Sequence, residues 1–216
     1  MTQEQATSSA AFAYRRIRSW ILDGELPPGS RLVVRPLAEK LGLSPTPVKA
    51  ALGALQSSGL IDVVVNAGYS VPHRDPVLFA QAMEMLCEYD VIAMRAALRQ
   101  PDTDALLETL EALVARQGGR IAAHADPQEF DLDFHELLIS HHDNPLLRQG
   151  ADLARGRALV SSGQLLRHPS VLGQLHSEHE EILTAMRRAD AAAAEEALRE
   201  HGRGTIEGVL ALFPRR

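Results

Sequence analysis

Three Asx-Pro pairs, Asp75-Pro76, Asp126-Pro127 and Asn144-Pro145, constrain this chain more than any other feature. An Asp or Asn side chain accepts from the free N–H groups of a first helical turn. A proline just after it has its φ already set for the helix and lacks an N–H to leave unsatisfied. Each pair therefore starts a helix, and Asp126 with Glu129 also has the spacing of a capping box. With the breakers Pro101, Gly118-Gly119, Asp143 and His168-Pro169, six helices are predicted, over about 76–99, 103–117, 127–141, 145–166, 169–188 and 191–212. Leu106, Leu107, Leu110, Leu113 and Val114 repeat as one helical face, and the alanine-rich run from Asp190 to Leu198 has high helix propensity. No strand pattern interrupts residues 76–216, so an all-α antiparallel bundle is expected there.

The first 75 residues differ in kind. A helix is predicted over about 9–23, with Ala13, Ile17, Trp20 and Ile21 on one face and Gly24 as its stop. A short helix follows from Pro36 to Leu41, ending at Gly42. A third has Thr46 as its cap, Pro47 at its first position, Val48, Ala51, Leu52 and Leu55 facing inward, and Gly59 at its end. Ile61–Val65 and Tyr69–Val71 are β-branched or aromatic runs around Asn66-Ala67-Gly68, which signals a hairpin. This order is that of a winged helix-turn-helix, so the chain divides into a winged domain over 1–75 and a helical domain over 76–216.

Charge follows the same division. The net charge of the 216-residue chain is -6, yet residues 1–75 hold 8 Lys and Arg against 6 Asp and Glu, while residues 76–216 hold 14 against 22. The second segment also carries eight of the nine histidines. Two domains with different partners explain this. The single cysteine, Cys87, excludes an intrachain disulfide and a cysteine-based zinc module. No apolar run approaches the roughly 20 residues of a membrane span, and the polar N-terminus has no signal pattern, so a cytoplasmic protein without a membrane partner is expected.

A recognition helix presents its N-terminal side chains to base edges while the preceding helix and the wing touch phosphates. That places Arg35, Ser44, Thr46 and Lys49 at DNA, with Gly68 allowing close backbone approach at the wing tip. Ile21, Gly24, Pro28-Gly29, Leu37-Ala38, Leu41, the run from Ser44 to Leu52, Leu55, Gly59-Leu60, Gly68 and Val71 resemble the DNA-binding domain of the GntR family of bacterial regulators. The family pattern has arginine where this chain has Pro45, arginine where it has Lys49 and glutamate where it has Ala50. Because arginine bonds guanine in bidentate fashion and proline cannot, the chain departs from the family where sequence is read.

In the helical segment, Asp131 and His135 stand at i and i+4 on one helix, and His179 and His201 lie mid-helix on the fifth and sixth helices. Antiparallel packing can bring all four together as metal ligands, though spacing alone leaves packed or exposed histidines equally open. The run from Phe130 to His135, then Asn144, His179, Ile182, Ala185, Asp190, Ala193, Leu198 and His201, is similar to the FCD effector domain that accompanies many GntR-type domains. The resemblance implies a divalent metal, zinc or nickel by the chemistry of three imidazoles and a carboxylate, held by Asp131, His135, His179 and His201. Six helices rather than seven place the chain in the VanR-like branch of the FadR subfamily. The family often carries an arginine near the middle of its first effector helix; here Leu86-Cys87-Glu88 stands near that place. Arg95, two turns on, and Arg155 and Arg157 on the fourth helix are the candidates to meet an anionic effector.

The expected protein is a homodimeric, ligand-responsive regulator of repressor type. Its partners are double-stranded operator DNA and a small carboxylate-bearing effector. The alternative is a metal-dependent enzyme acting on a small organic acid or lactone through an activated water. That reading lacks a general base beside the ligands, since Glu136 and Asp133 project away from His135, and leaves the winged domain without a purpose.

Overall fold

The computed structural model describes residues 3–64, 68–122 and 128–214. Contacts group the chain into two compact units, one of Met1–Phe79 with Asp152–Gln164 and one of Ala80–Ala151 with Leu165–Arg216.

In the first unit, α1 (Gln3–Leu22) buries Ala13, Ile17, Trp20 and Ile21, the face its spacing predicts, and packs on α3 (Pro45–Ser57). From α3 come Val48, Ala51, Leu52 and Leu55, each at most 1% exposed. Burying a side chain as large as leucine contributes roughly 1.5–3 kcal/mol, so this α1–α3 seam is a substantial source of the unit's stability. Between them, α2 (Val34–Leu41) closes on Gly42 in the left-handed conformation, φ 67°. The Gly42 N–H donates to the Glu39 carbonyl and that of Leu43 to the Ala38 carbonyl, which stops the helix with its last acceptors satisfied. Lys40, 3.9 Å above the Trp20 ring, covers the exposed edge of the seam.

The wing is an antiparallel sheet in the order β1 (Arg31–Leu32), β3 (Gly68–Ser70), β2 (Asp62–Val64), with Tyr69 opposite both Leu32 and Val63. The two strands predicted from composition pair as a hairpin; Val65, Asn66 and Ala67 lie outside the described residues. β1 was not expected, since two residues carry no periodicity and become a strand only by pairing with β3. The third helix begins at Pro45, not Pro47. Ser44 occupies its cap position with extended backbone and makes no side-chain capping bond, so Thr46 lies within the first turn and is not the cap.

Residues 152–164 fall in the segment after residue 75 but pack with the first unit. They are the second half of α7 (Pro145–Ser162) and the start of the 3-10 turn Gly163–Arg167. A Cβ on Gly156 would stand 1.7 Å from the Ser58 carbonyl oxygen, so only glycine permits this approach of α7 to the end of α3. Around it, Arg157 Nη1 donates to Asp62 Oδ1 at 2.7 Å and Gln164 Nε2 to the Asp23 carbonyl at 3.2 Å.

The second unit holds α5 (Thr103–Ala122), α6 (Gln128–Ser140), α8 (Pro169–Arg187), α9 (Ala191–Leu212), most of α4 (Pro76–Ala97) and the first turns of α7. Six α-helices therefore follow residue 75 among the described residues, as predicted. Two of the three Asx-Pro starts are seen to act. Asp75 Oδ1 accepts from Val77 and Leu78 at 2.9 and 3.1 Å, and Asn144 Oδ1 from Leu146 at 2.9 Å. Asp126 and Pro127 lie outside the described residues. Gly118-Gly119 does not end α5, which runs on to Ala122. Two glycines cost a helix about 2 kcal/mol relative to alanine, less than the packing of such a helix supplies. Met94, Leu107, Leu110, Phe134, Leu138, Ile182 and Leu198 form the core. No helix among the described residues is long and apolar enough to cross a membrane.

Candidate functional site

Of the DNA-facing candidates, Ser44, Thr46 and Lys49 lie at the N-terminal end of α3, Arg35 is on α2 and Gly68 opens β3. Arg35, Ser44, Thr46, Lys49 and Gly68 are all exposed, whereas Pro47 and Val48 turn inward. Proline at the first helical position holds the α3 terminus rigid, and no acidic side chain occupies the first turn to repel phosphate. Gly68 has φ 87°, open space where a Cβ would stand, and opens β3 opposite Val64. Val34, Pro45, Ala50 and Tyr69 surround Thr46 and Lys49 in one shallow depression. Tyr69 was not among the expected residues, because only the pairing of β3 brings it beside α3.

In the second unit the structure brings three of the four expected ligands together. His135 stands on α6, His179 on α8 and His201 on α9, and one ring nitrogen from each lies within 4.8 Å of the other two. The α8–α9 hairpin explains the level: His179 is eleven residues before Asp190 and His201 eleven after it, so antiparallel helices hold them at the same height. Asp190 Oδ1 fixes the hairpin by accepting from Ala193 N–H at 3.0 Å. His179 is fully buried and stacked on Phe134, with ring centroids 4.1 Å apart and planes at 13°. Asp131 lies on α6 one turn before His135, and its side chain is outside the described residues.

Two carboxylates that sequence reasoning missed complete the cluster. Asp90 Oδ2 of α4 lies 2.9 Å from His135 Nδ1, and Glu178 Oε2 lies 2.8 Å from His201 Nδ1. The opposite nitrogens, His135 Nε2 and His201 Nε2, face each other at 3.0 Å. A carboxylate at Nδ1 favours the proton there and leaves Nε2 with its lone pair. Two such lone pairs at this distance repel unless a cation or a shared proton lies between them. The donor set fits a divalent metal: three imidazoles, two of them buried, with a carboxylate beside the Nδ1 atoms of His135 and His201. Glu178 is next to His179 in sequence, but nothing local marks Asp90, which is brought to His135 by packing of α4.

Cys87 stands near this region without resembling a ligand. Burial pushes its thiol up to about 11, and Asp90 adds to the shift, so the thiolate that metals prefer is disfavoured. Gly202 faces it: a Cβ there would stand 3.3 Å from Cys87 Cβ, so α4 and α9 approach closely. Above them Arg199 donates to Glu88 and, at 3.1 Å, to Glu195, which also pairs with Arg95. The Arg199 hydrogen bond holds the Glu88 carboxyl below its usual range.

The three arginines expected to meet an effector are thus placed differently. Arg95 is exposed and paired with Glu195. Arg155, 9% exposed, reaches Asp152 at 3.3 Å, and Arg157 is tied to Asp62; both belong to the first unit.

Comparison with known proteins agrees with both halves. Residues 9–71 match the model of bacterial regulatory proteins of the gntR family, and residues 81–204 match the FCD domain. An HTH-type transcriptional regulator from an unstable DNA locus of Streptomyces ambofaciens is 29% identical over 97% of this chain and 88% of its own length. The regulator LutR of Bacillus subtilis is 28% identical over 84% of this chain and 92% of its own. In fold, the chain is similar to Escherichia coli McbR, with a TM-score of 0.75 at 20% identity over 95% of this chain and 99% of that one. The matched families and relatives are all regulators of transcription, which overturns the alternative of a metal-dependent enzyme. With an FCD domain covering more than half its length behind a gntR-type winged domain, the chain belongs to the GntR family of bacterial transcriptional regulators.

Proposed function

We propose that this regulator is a homodimeric repressor whose helical unit holds a divalent ion, zinc or nickel, and with it a small carboxylate effector. The convergence of one ring nitrogen each from His135, His179 and His201 within 4.8 Å carries this reading. Asp131 is the fourth ligand by its resemblance to the family motif. A bound ion of this kind supplies Lewis-acid positions for an anionic ligand. The protein's own part is orientation. Phe134 fixes the plane of His179, Glu178 holds His201 through its Nδ1, and the Asp90 carboxylate stands 2.9 Å from His135 Nδ1.

Two α3 helices are needed to read a two-fold operator, which is the ground for the dimer. To control transcription, the effector must bind one DNA-affinity state more tightly than the other. Chelator-dialysed full-length protein titrated with zinc or nickel should take up one ion per chain, and the thermal midpoint should rise with metal and again with the right carboxylate. Substoichiometric uptake, or uptake unchanged in His135→Ala and His201→Ala, would sink the metal reading. Repression is read separately, from a reporter behind the chain's own upstream DNA.

A further inference from the structure

The depression at the open end of α3 is chemically uneven. Val34 of α2, Pro45, Thr46, Lys49 and Ala50 of α3, and Tyr69 of β3 line it. Pro45, Thr46, Lys49 and Ala50 are exposed, and Val34 and Tyr69 are half-buried behind them. Thr46, Lys49 and Ala50 stand at i, i+3 and i+4, on one face of the helix, beside the first-turn Pro45. In a helix-turn-helix these first turns meet base edges in the major groove, so these side chains are the ones placed to read sequence.

Pro45 and Ala50 have no side-chain donor or acceptor, and proline has no N–H either. They cannot bond the N7 and O6 acceptors of guanine, the N6 amino group of adenine or the N4 amino group of cytosine. Base pairs present one apolar group in the major groove, the C5-methyl of thymine. An apolar position facing amino or carbonyl edges would strip them of water without replacing their hydrogen bonds, which is unfavourable. A thymine methyl needs none.

We propose that Pro45 and Ala50 select thymine in each operator half-site through its methyl group, with Val34 and the Tyr69 ring as the apolar wall. Lys49, the cation among the six, donates to an acceptor on a neighbouring base. The proposal rests on the DNA-binding role of α3 and adds the chemistry of the base it reads.

Deoxyuridine tests it, because it keeps the hydrogen-bonding edge of thymine and lacks only the methyl. Full-length protein is used to select sites from random double-stranded DNA, and each thymine of the recovered half-site is then replaced by deoxyuridine in turn. Thymine should be enriched at one or two positions, and replacement there should weaken binding roughly three- to five-fold per methyl. The double variant Pro45→Ser/Ala50→Ser should bind the thymine and deoxyuridine operators alike, and Ala50→Ser alone, at an exposed position, should lose discrimination at one thymine while staying close to the wild-type thermal midpoint. A recovered site without enriched thymine, or equal binding at every deoxyuridine position, overturns the proposal and leaves the regulator reading intact. Recovery of no preferred sequence at all would overturn both.

Discussion

The two binding regions of this molecule are built on opposite plans. At the end of α3 the functional side chains are exposed and the fold rests on the other face of the helix, through Val48, Ala51, Leu52 and Leu55. In the helical unit the functional side chains are themselves interior: His179 is fully buried, His201 is 3% exposed and Asp90 4%. Specificity for DNA can therefore change without touching stability, whereas the proposed metal site in the histidine cluster would tie ligand binding to folding. An exposed face presents its groups to a macromolecule that brings its own shape, while a small ion requires several donors fixed in advance.

The sharpest way to break this contrast is His179→Ala. It removes a buried ring stacked on Phe134 and one of three converging nitrogens, so it should lower stability by about 2–4 kcal/mol in urea denaturation and abolish metal uptake. A variant with full stability and no metal would show that the two are separable after all. Next come Asp90→Asn and Glu178→Gln, which keep shape and lose the charge behind an imidazole. Metal affinity should fall 10- to 100-fold by competition with a chelating dye, as is typical when such outer partners are lost.

At the exposed end, Lys49→Ala should weaken specific DNA binding about ten-fold and leave urea stability within about 0.5 kcal/mol. A stability loss comparable to that of His179→Ala would erase the distinction between the two regions. The smallest effect lies on the rim of the helical unit. Glu88 has its carboxyl lowered by Arg199, so its contribution is present above the ordinary carboxylate range and is lost as pH falls through the lower folded value. The wild-type thermal midpoint should accordingly drop more on acidification than that of Glu88→Gln, by a small margin because both partners are partly exposed.

Legibility in the sequence divides along similar lines. Helix starts with a local chemical mark were readable: Asp75 and Asn144 accept the N–H groups their positions predict. Gly42 ends α2 where its freedom at positive φ suggests. Marks that depend on packing were misread or invisible. Gly118-Gly119 reads as a break yet lies inside α5, β1 exists only because β3 pairs with it, and Ser44 rather than Thr46 occupies the α3 cap position. In the candidate site, the resemblance named histidines that do converge, and for His179 and His201 the helix starts at Pro169 and after Asp190 were legible. Asp90 and Tyr69 carry no local signal, and only tertiary contact gives them a role.

The equal spacing of His179 and His201 about Asp190 has a consequence for how this bundle can vary. Adding residues to the turn at 188–190 would leave both rings at their own heights in their own helices. Adding one residue between His179 and the end of α8 would instead rotate one ring by about 100° and raise it by about 1.5 Å relative to its partner. The hairpin thus tolerates change in length at its tip and forbids it along its arms. Among related chains, insertions should accumulate beside Asp190, and the count of helical residues from each histidine to the turn should stay constant.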